Sequence, residues 1–159
     1  MRRILYILGL VAGLALCGCS RWGKETTLSP AEYYDLGRYA RLDGDWSVAV
    51  GYFEQALSAA ERTGNDFYRG YACQQLAALW VMAEEDSAAL LYSMTAVAAL
   101  NACGEEMGAF ISRLEIVRRY QSSGNEDKAL KLLTDLRVSY PDADLYMKTL
   151  DSPLVNEGY

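Results

Sequence analysis

The residues with the most evident reactive chemistry stand near the start of the chain, where Cys17 and Cys19 flank one glycine in Leu14-Ala15-Leu16-Cys17-Gly18-Cys19-Ser20. Two thiols at that spacing could hold a metal or a redox couple, yet no His or further Cys lies nearby to complete a ligand set. The chain contains 4 cysteines and no histidine. That composition removes the commonest general base, the commonest zinc ligand and every Ser–His or Cys–His nucleophilic pair. Carboxylates cluster at Glu84-Glu85-Asp86 and at Glu105-Glu106, and two carboxylates suffice for glycoside hydrolysis. Both clusters fall where helices should begin, however, and the helix dipole favours acidic residues there without any chemistry. The sequence holds no Gly-rich phosphate loop and no Ser-x-x-Lys motif. It therefore predicts no catalytic residue, no metal site, no cofactor and no enzyme.

The cysteine pair makes better sense as the end of an address. Met1-Arg2-Arg3 is a positively charged start, and Ile4 to Gly18 is almost wholly apolar, the order of a secretory signal. That apolar run is shorter than the ~20 residues a membrane span requires. It resembles the signal of bacterial lipoproteins, which carry a Leu three residues before the retained Cys and a small residue immediately before it. Leu16-Cys17-Gly18-Cys19 fits that pattern, whereas Cys17 would have the bulky Leu16 where the small residue belongs. The resemblance implies cleavage after residue 18 and lipidation of Cys19, with two or more acyl chains holding the protein on a membrane of the bacterial cell envelope. An ordinary cleaved signal and an uncleaved anchor helix are the alternatives. Ser20 follows, with no Asp of the kind that marks inner-membrane retention in enterobacterial lipoproteins. The expected location is thus the outer membrane, facing the periplasm. Trp22, in the tether, is placed to rest at the lipid interface.

Charge narrows the partners. The chain has 15 basic and 21 acidic residues and a formal charge of -6; cleavage would remove Arg2 and Arg3, so that 13 basic residues face 21 acidic ones at a charge of -8. No basic field exists to hold nucleic acid, and the acidic body would not seek an anionic membrane unaided. Hydrophobic residues make up 52% of the 159-residue chain, enough for one folded domain, and with only 3 prolines the composition favours helices joined by short turns.

A spacing of 40 residues organises the body. Gly44, Glu84 and Gly124 align, as do Ala49, Ala89 and Ala129, Leu36, Leu76 and Ile116, and Ala40, Trp80 and Tyr120. Ser29-Pro30-Ala31-Glu32 offers an N-cap, a proline in the first turn and a Glu three residues on. Gly44, Gly64, Cys103-Gly104 and Gly124 supply stops, and Glu84-Glu85-Asp86 does so with charge alone. Six helices are predicted, over 30–42, 46–63, 66–83, 86–103, 106–123 and 126–139. A short seventh over 143–150 would cap the end.

Tyr33-x2-Leu36-Gly37-x2-Ala40 followed by Ala49-x3-Phe53-x2-Ala56 resembles a tetratricopeptide (TPR) repeat. The second unit keeps Leu76, Ala77, Ala89 and Ala96 but has Ser93 where Phe53 stood, and the third keeps Ile116, Tyr120, Ala129 and Leu133. The resemblance implies an all-α, right-handed solenoid of about three helical hairpins over 30–139. Residues 1–18 would be the cleaved signal, 19–29 the lipidated Cys and tether, and 140–159 the cap helix and tail. An unrelated helical bundle is the alternative. On the helical reading Cys73 and Cys103 lie on neighbouring helices but out of register, too far apart for a disulfide, and both are expected to be small buried groups. Trp46 and Trp80, recurring at core spacing, are expected to pack between hairpins.

Repeats of this kind bind with the concave surface made by the first helix of each hairpin. Mapped by spacing, that surface would carry Tyr34, Arg38 and Arg41, then Tyr71, Gln74, Gln75 and Ala78, then Glu115, Arg118 and Gln121. Tyr and Arg are the residue types that anchor interfaces, and three arginines would make a basic stripe suited to an acidic or carboxylate-ended peptide. The expected function is a non-catalytic, lipid-anchored adaptor that binds a protein or peptide partner through this groove. A receptor for a small ligand or glycan, with pockets between hairpins, is a second reading, and a weak envelope hydrolase a third.

Overall fold

The computed structural model describes residues 28–141. The signal, Cys19, most of the tether and the tail from residue 142 lie outside the described residues. Six helices follow in order: α1 (Pro30–Leu42), α2 (Trp46–Thr63), α3 (Asp66–Met82), α4 (Asp86–Ala102), α5 (Glu106–Ser122) and α6 (Glu126–Ser139). Among the described residues there is no strand.

The helix starts and stops follow from local chemistry. At the head of α1, Ser29 Oγ accepts from the Glu32 amide at 3.3 Å while Glu32 accepts from the Ser29 amide at 2.8 Å, a reciprocal cap that satisfies two otherwise orphaned donors. The Ser29 amide first, and then the Ser29 hydroxyl at 2.7 Å, donate to the Glu32 carboxylate and hold it below its ordinary value. Each of the five turns then closes in one way. The amides of Asp45, Asn65, Glu85, Glu105 and Asn125 donate to the carbonyls of Ala40, Ala60, Trp80, Leu100 and Tyr120, each five residues back, at 2.8–2.9 Å. This is the Schellman closure, which needs a left-handed residue just before the donor. Gly44, Gly64, Gly104 and Gly124 supply it, and Glu84 adopts it at φ 60° despite its side chain.

Each helix packs against the next, and the first helices of successive hairpins also touch, α1 with α3 and α3 with α5. The result is an all-α solenoid of three helical hairpins. Its core falls into three successive clusters: Ala40, Ala49, Phe53, Leu76 and Leu79; Cys73, Ala96, Leu100 and Ala109; and Phe110, Leu114, Val117, Ala129 and Leu136.

Two close approaches fix how the hairpins nest. Phe53 lies flat on Gly37, where a Cβ would stand 2.7 Å from the ring. Leu100 is gripped from both sides: a Cβ on Gly70 of α3 would stand 2.4 Å from its Cγ, and one on Gly108 of α5 would stand 3.1 Å from its Cδ1.

Two expectations about single side chains need correction. Cys73 is fully buried, and burial pushes its thiol up to about 12. Cys103, in contrast, is exposed, because it is the cap residue after α4 and turns its sulfur back to the Leu100 carbonyl at 3.4 Å. Trp80 packs on the first core layer, whereas Trp46 opens α2 at the rim and is 44% exposed, lining a shallow hollow beside Trp80.

Candidate functional site

Helices α1, α3 and α5 enclose a groove of about 540 Å³, within the range of ligand and peptide sites. Helix α1 contributes Arg41; α3 contributes Gln74, Gln75, Ala78, Val81 and Met82; α5 contributes Phe110, Ile111, Ser112, Leu114, Glu115 and Arg118. Its floor reaches Ala77 and, from α4, Ser93. Of the residues that sequence spacing assigns to the groove, the structure gathers Arg41, Gln74, Gln75, Ala78, Glu115 and Arg118 here.

The others are not among the residues that line it. Tyr34 is half-buried and builds an aromatic cluster, its ring 5.6 Å from Phe53, 5.8 Å from Tyr68 and 6.4 Å from Tyr71. Burial pushes its phenol up, against the opposing pull of Arg38, the Gln75 amide and Arg41. Tyr71 extends the same cluster 4.7 Å from Phe67 and donates to Glu105 at 3.4 Å; burial first, then the Glu105 charge, raises its phenol. Arg38 is exposed and 3.6 Å from Asp35, one turn back on its own helix. Gln121 lies at the far end of α5, beside a separate hollow with Glu126, Asp127, Leu130 and Leu133.

Among the described residues, the stripe of three arginines therefore reduces to one uncompensated cation. Arg118 pairs with Glu115 at 3.5 Å, and Glu115 also holds Arg119 at 2.9 Å, which reaches Asp86 of α4 at 2.8 Å. Arg41 has no ion pair among the described residues, and its Nε is buried without a hydrogen-bond partner. Gln74 is not free either: its amide donates to the Gly108 carbonyl and to Ser112 Oγ, both at 2.8 Å, tying α3 to α5 along one wall. Met82 and Ile111 stand 52% and 54% exposed, an apolar surface beside a single positive charge. Spacing alone missed these two, as well as Ala77, Val81, Ser93, Phe110, Ser112 and Leu114. Among them only Ser93 stood out in the sequence, as a departure from the apolar residue of unit one.

Among the described residues no group of three His, Cys, Asp or Glu side chains could hold a metal ion. No helix there is long and apolar enough to cross a membrane.

The helices define an all-α helical-repeat fold, built of hairpins like those of tetratricopeptide proteins. Among solved structures the chain is similar to the crystal structure of a Podosopora anserina putative kinesin light chain with nearly identical TPR-like repeats. The TM-score is 0.57 and the identity 22%, over 72% of this chain and 56% of that one. The chain thus spans little more than half the length of the protein it matches, and the likeness is one of fold. No model of a known protein family matches it, and no curated protein does.

Proposed function

We propose that this chain is a non-catalytic, lipid-anchored adaptor of the bacterial cell envelope, held at the outer membrane facing the periplasm, and that it holds one protein partner in the groove of α1, α3 and α5. The observation that carries the binding role is the 540 Å³ groove in which the unpaired Arg41 stands beside exposed Met82 and Ile111. A charge and an apolar surface side by side are the combination that a partner's segment can desolvate and pair at once. A helical-repeat scaffold of this kind serves such binding by presenting a groove rather than by moving protons. The anchoring role rests on Leu16-Cys17-Gly18-Cys19.

The test is affinity capture from envelope membranes with the full chain, comparing wild type, Arg41→Glu and Cys19→Ala. A protein retained in stoichiometric amount by wild type and lost with Arg41→Glu supports the adaptor. Retention of every partner by Arg41→Glu refutes the groove as the binding surface. Cys19→Ala should abolish membrane retention or processing and leave capture through the groove intact; acyl labelling that persists in that variant refutes lipidation at Cys19.

A further inference from the structure

The three hairpins are built to one plan, so a position that breaks the plan can be read against its counterparts. In the first hairpin Tyr34 and Phe53 fill the space between the helices, rings 5.6 Å apart, with Phe53 fully buried on Gly37. Forty residues on, the same two positions are Gln74 and Ser93, and Gly37 has become Ala77. In the third hairpin they are Leu114 and Leu133. The middle hairpin alone has lost both large apolar groups. Gln74 has swung across to bond α5, and Ser93, 2% exposed, keeps its Oγ without any hydrogen-bond partner. A buried hydroxyl left unpaired is disfavoured and rare in a settled core. Here it forms part of the floor of the groove that also holds the unpaired Arg41.

We propose that the slot beneath Ala78, floored by Ala77 and Ser93, is a socket for one aromatic side chain of the partner's segment, which a carboxylate next to that side chain steers by pairing with Arg41. The walls are Val81, Phe110 and Leu114, apolar as an aromatic ring requires. Charge selects the rest of the ligand. The groove's three charged residues are Arg41, Glu115 and Arg118, and the last two pair with each other, so the unmet charge is positive and an acidic neighbour satisfies it. The socket rests on the adaptor reading of the groove and deepens it, from a partner to the side chains by which the partner is recognised.

The test separates the two readings. The probe is N-acetyl-L-phenylalanine, which carries a ring and a carboxylate, with N-acetyl-L-alanine as the ringless control, titrated into the full chain and followed by methyl NMR of Val81, Met82, Ile111 and Leu114. A fragment of this size should bind with a dissociation constant on the order of 1 mM, and the alanine control should bind at least ~10-fold more weakly. Ser93→Phe fills the slot from below; because Ala77 puts a Cβ where Gly37 leaves room for Phe53, it should melt below wild type, and where it keeps the helical circular dichroism it should lose the probe's shifts. Should that variant fail to fold, Ala78→Trp, on an exposed position at the mouth, blocks the slot without touching the core. Equal binding of the probe to wild type and to either folded variant overturns the socket, as does equal binding of the two probes. In membrane capture, a partner lost with Arg41→Glu yet retained by Ser93→Phe also overturns the socket while leaving the adaptor standing. A partner lost with both supports the two together.

Discussion

Replacing Gly70 by alanine should destabilise the protein even though alanine is the better helix former. The substitution adds one methyl group in the middle of α3, and helix propensity alone would favour it by ~1 kcal/mol. In the fold that methyl would stand 2.4 Å from Leu100 Cγ and 2.6 Å from Cδ2. Leu100 is fully buried and has no retreat, since the backbone of Gly108 closes on its other side. Overpacking of this kind costs ~1–3 kcal/mol, and a leucine held on two sides belongs to the upper part of that range. The net loss is then ~1–2 kcal/mol, which at roughly 4 °C per kcal/mol lowers Tm by ~4–8 °C. Gly51 of α2 is the control: nothing lies within 4 Å of a Cβ added there, so Gly51→Ala should gain ~0.5–1 kcal/mol and raise Tm by ~2–4 °C. Thermal unfolding followed at 222 nm measures both. Adding Leu100→Val should make the pair with Gly70→Ala less destabilising than the sum of the two single changes by about 1 kcal/mol. If Gly70→Ala melts at or above wild type, or if the two changes simply add, the account of Leu100 as a knob between two glycines is wrong.

Three further outcomes follow from the local geometry. Glu84 holds a left-handed conformation at φ 60° where the other four turns have glycine, so Glu84→Gly should gain ~1 kcal/mol of the left-handed penalty, less a few tenths for the freer unfolded chain, as read from urea midpoints. Cys103 is exposed while Cys73 is buried with its thiol pushed up to about 12; at pH 8 iodoacetamide should alkylate Cys103 in the native protein and reach Cys73 only after unfolding, as peptide mapping would show. The Glu32 carboxyl titrates below its ordinary 4.5 when folded, so its stabilisation is fully present above that value and is lost as pH falls through the folded value; Glu32→Gln should flatten the stability curve below pH 4.5, and an unchanged slope there would refute the capping role.

Much of the fold was legible because helix ends are local events. Ser29 with Glu32 starts α1, and Gly44, Gly64, Gly104 and Gly124 end four helices because each demands a conformation that other residues resist. The predicted bounds for α1, α2 and α6 match the observed ones, and those for α3, α4 and α5 differ by the single cap residue. The groove was harder to read because it depends on what side chains do with neighbours. Helical periodicity puts Arg38, Arg41 and Arg118 on first helices, but only coordinates show that Asp35 and Glu115 engage two of them. The same limit hid the grip of Gly70 and Gly108 on Leu100, residues on three different helices. Ser93 was visible as a lapse in the repeat pattern; its place on the floor of the groove depends on how α3, α4 and α5 pack together.

The turns have a further consequence. Their left-handed residues fall at 44, 64, 84, 104 and 124, so every helix after the first begins one constant stride along the chain, with the same backbone closure at each joint. A copied stretch of forty residues therefore arrives with both of its joints already cut to fit, and the scaffold can lengthen or shorten by whole hairpins without reshaping its neighbours. Curvature and grip are left to the side chains, which can change one position at a time.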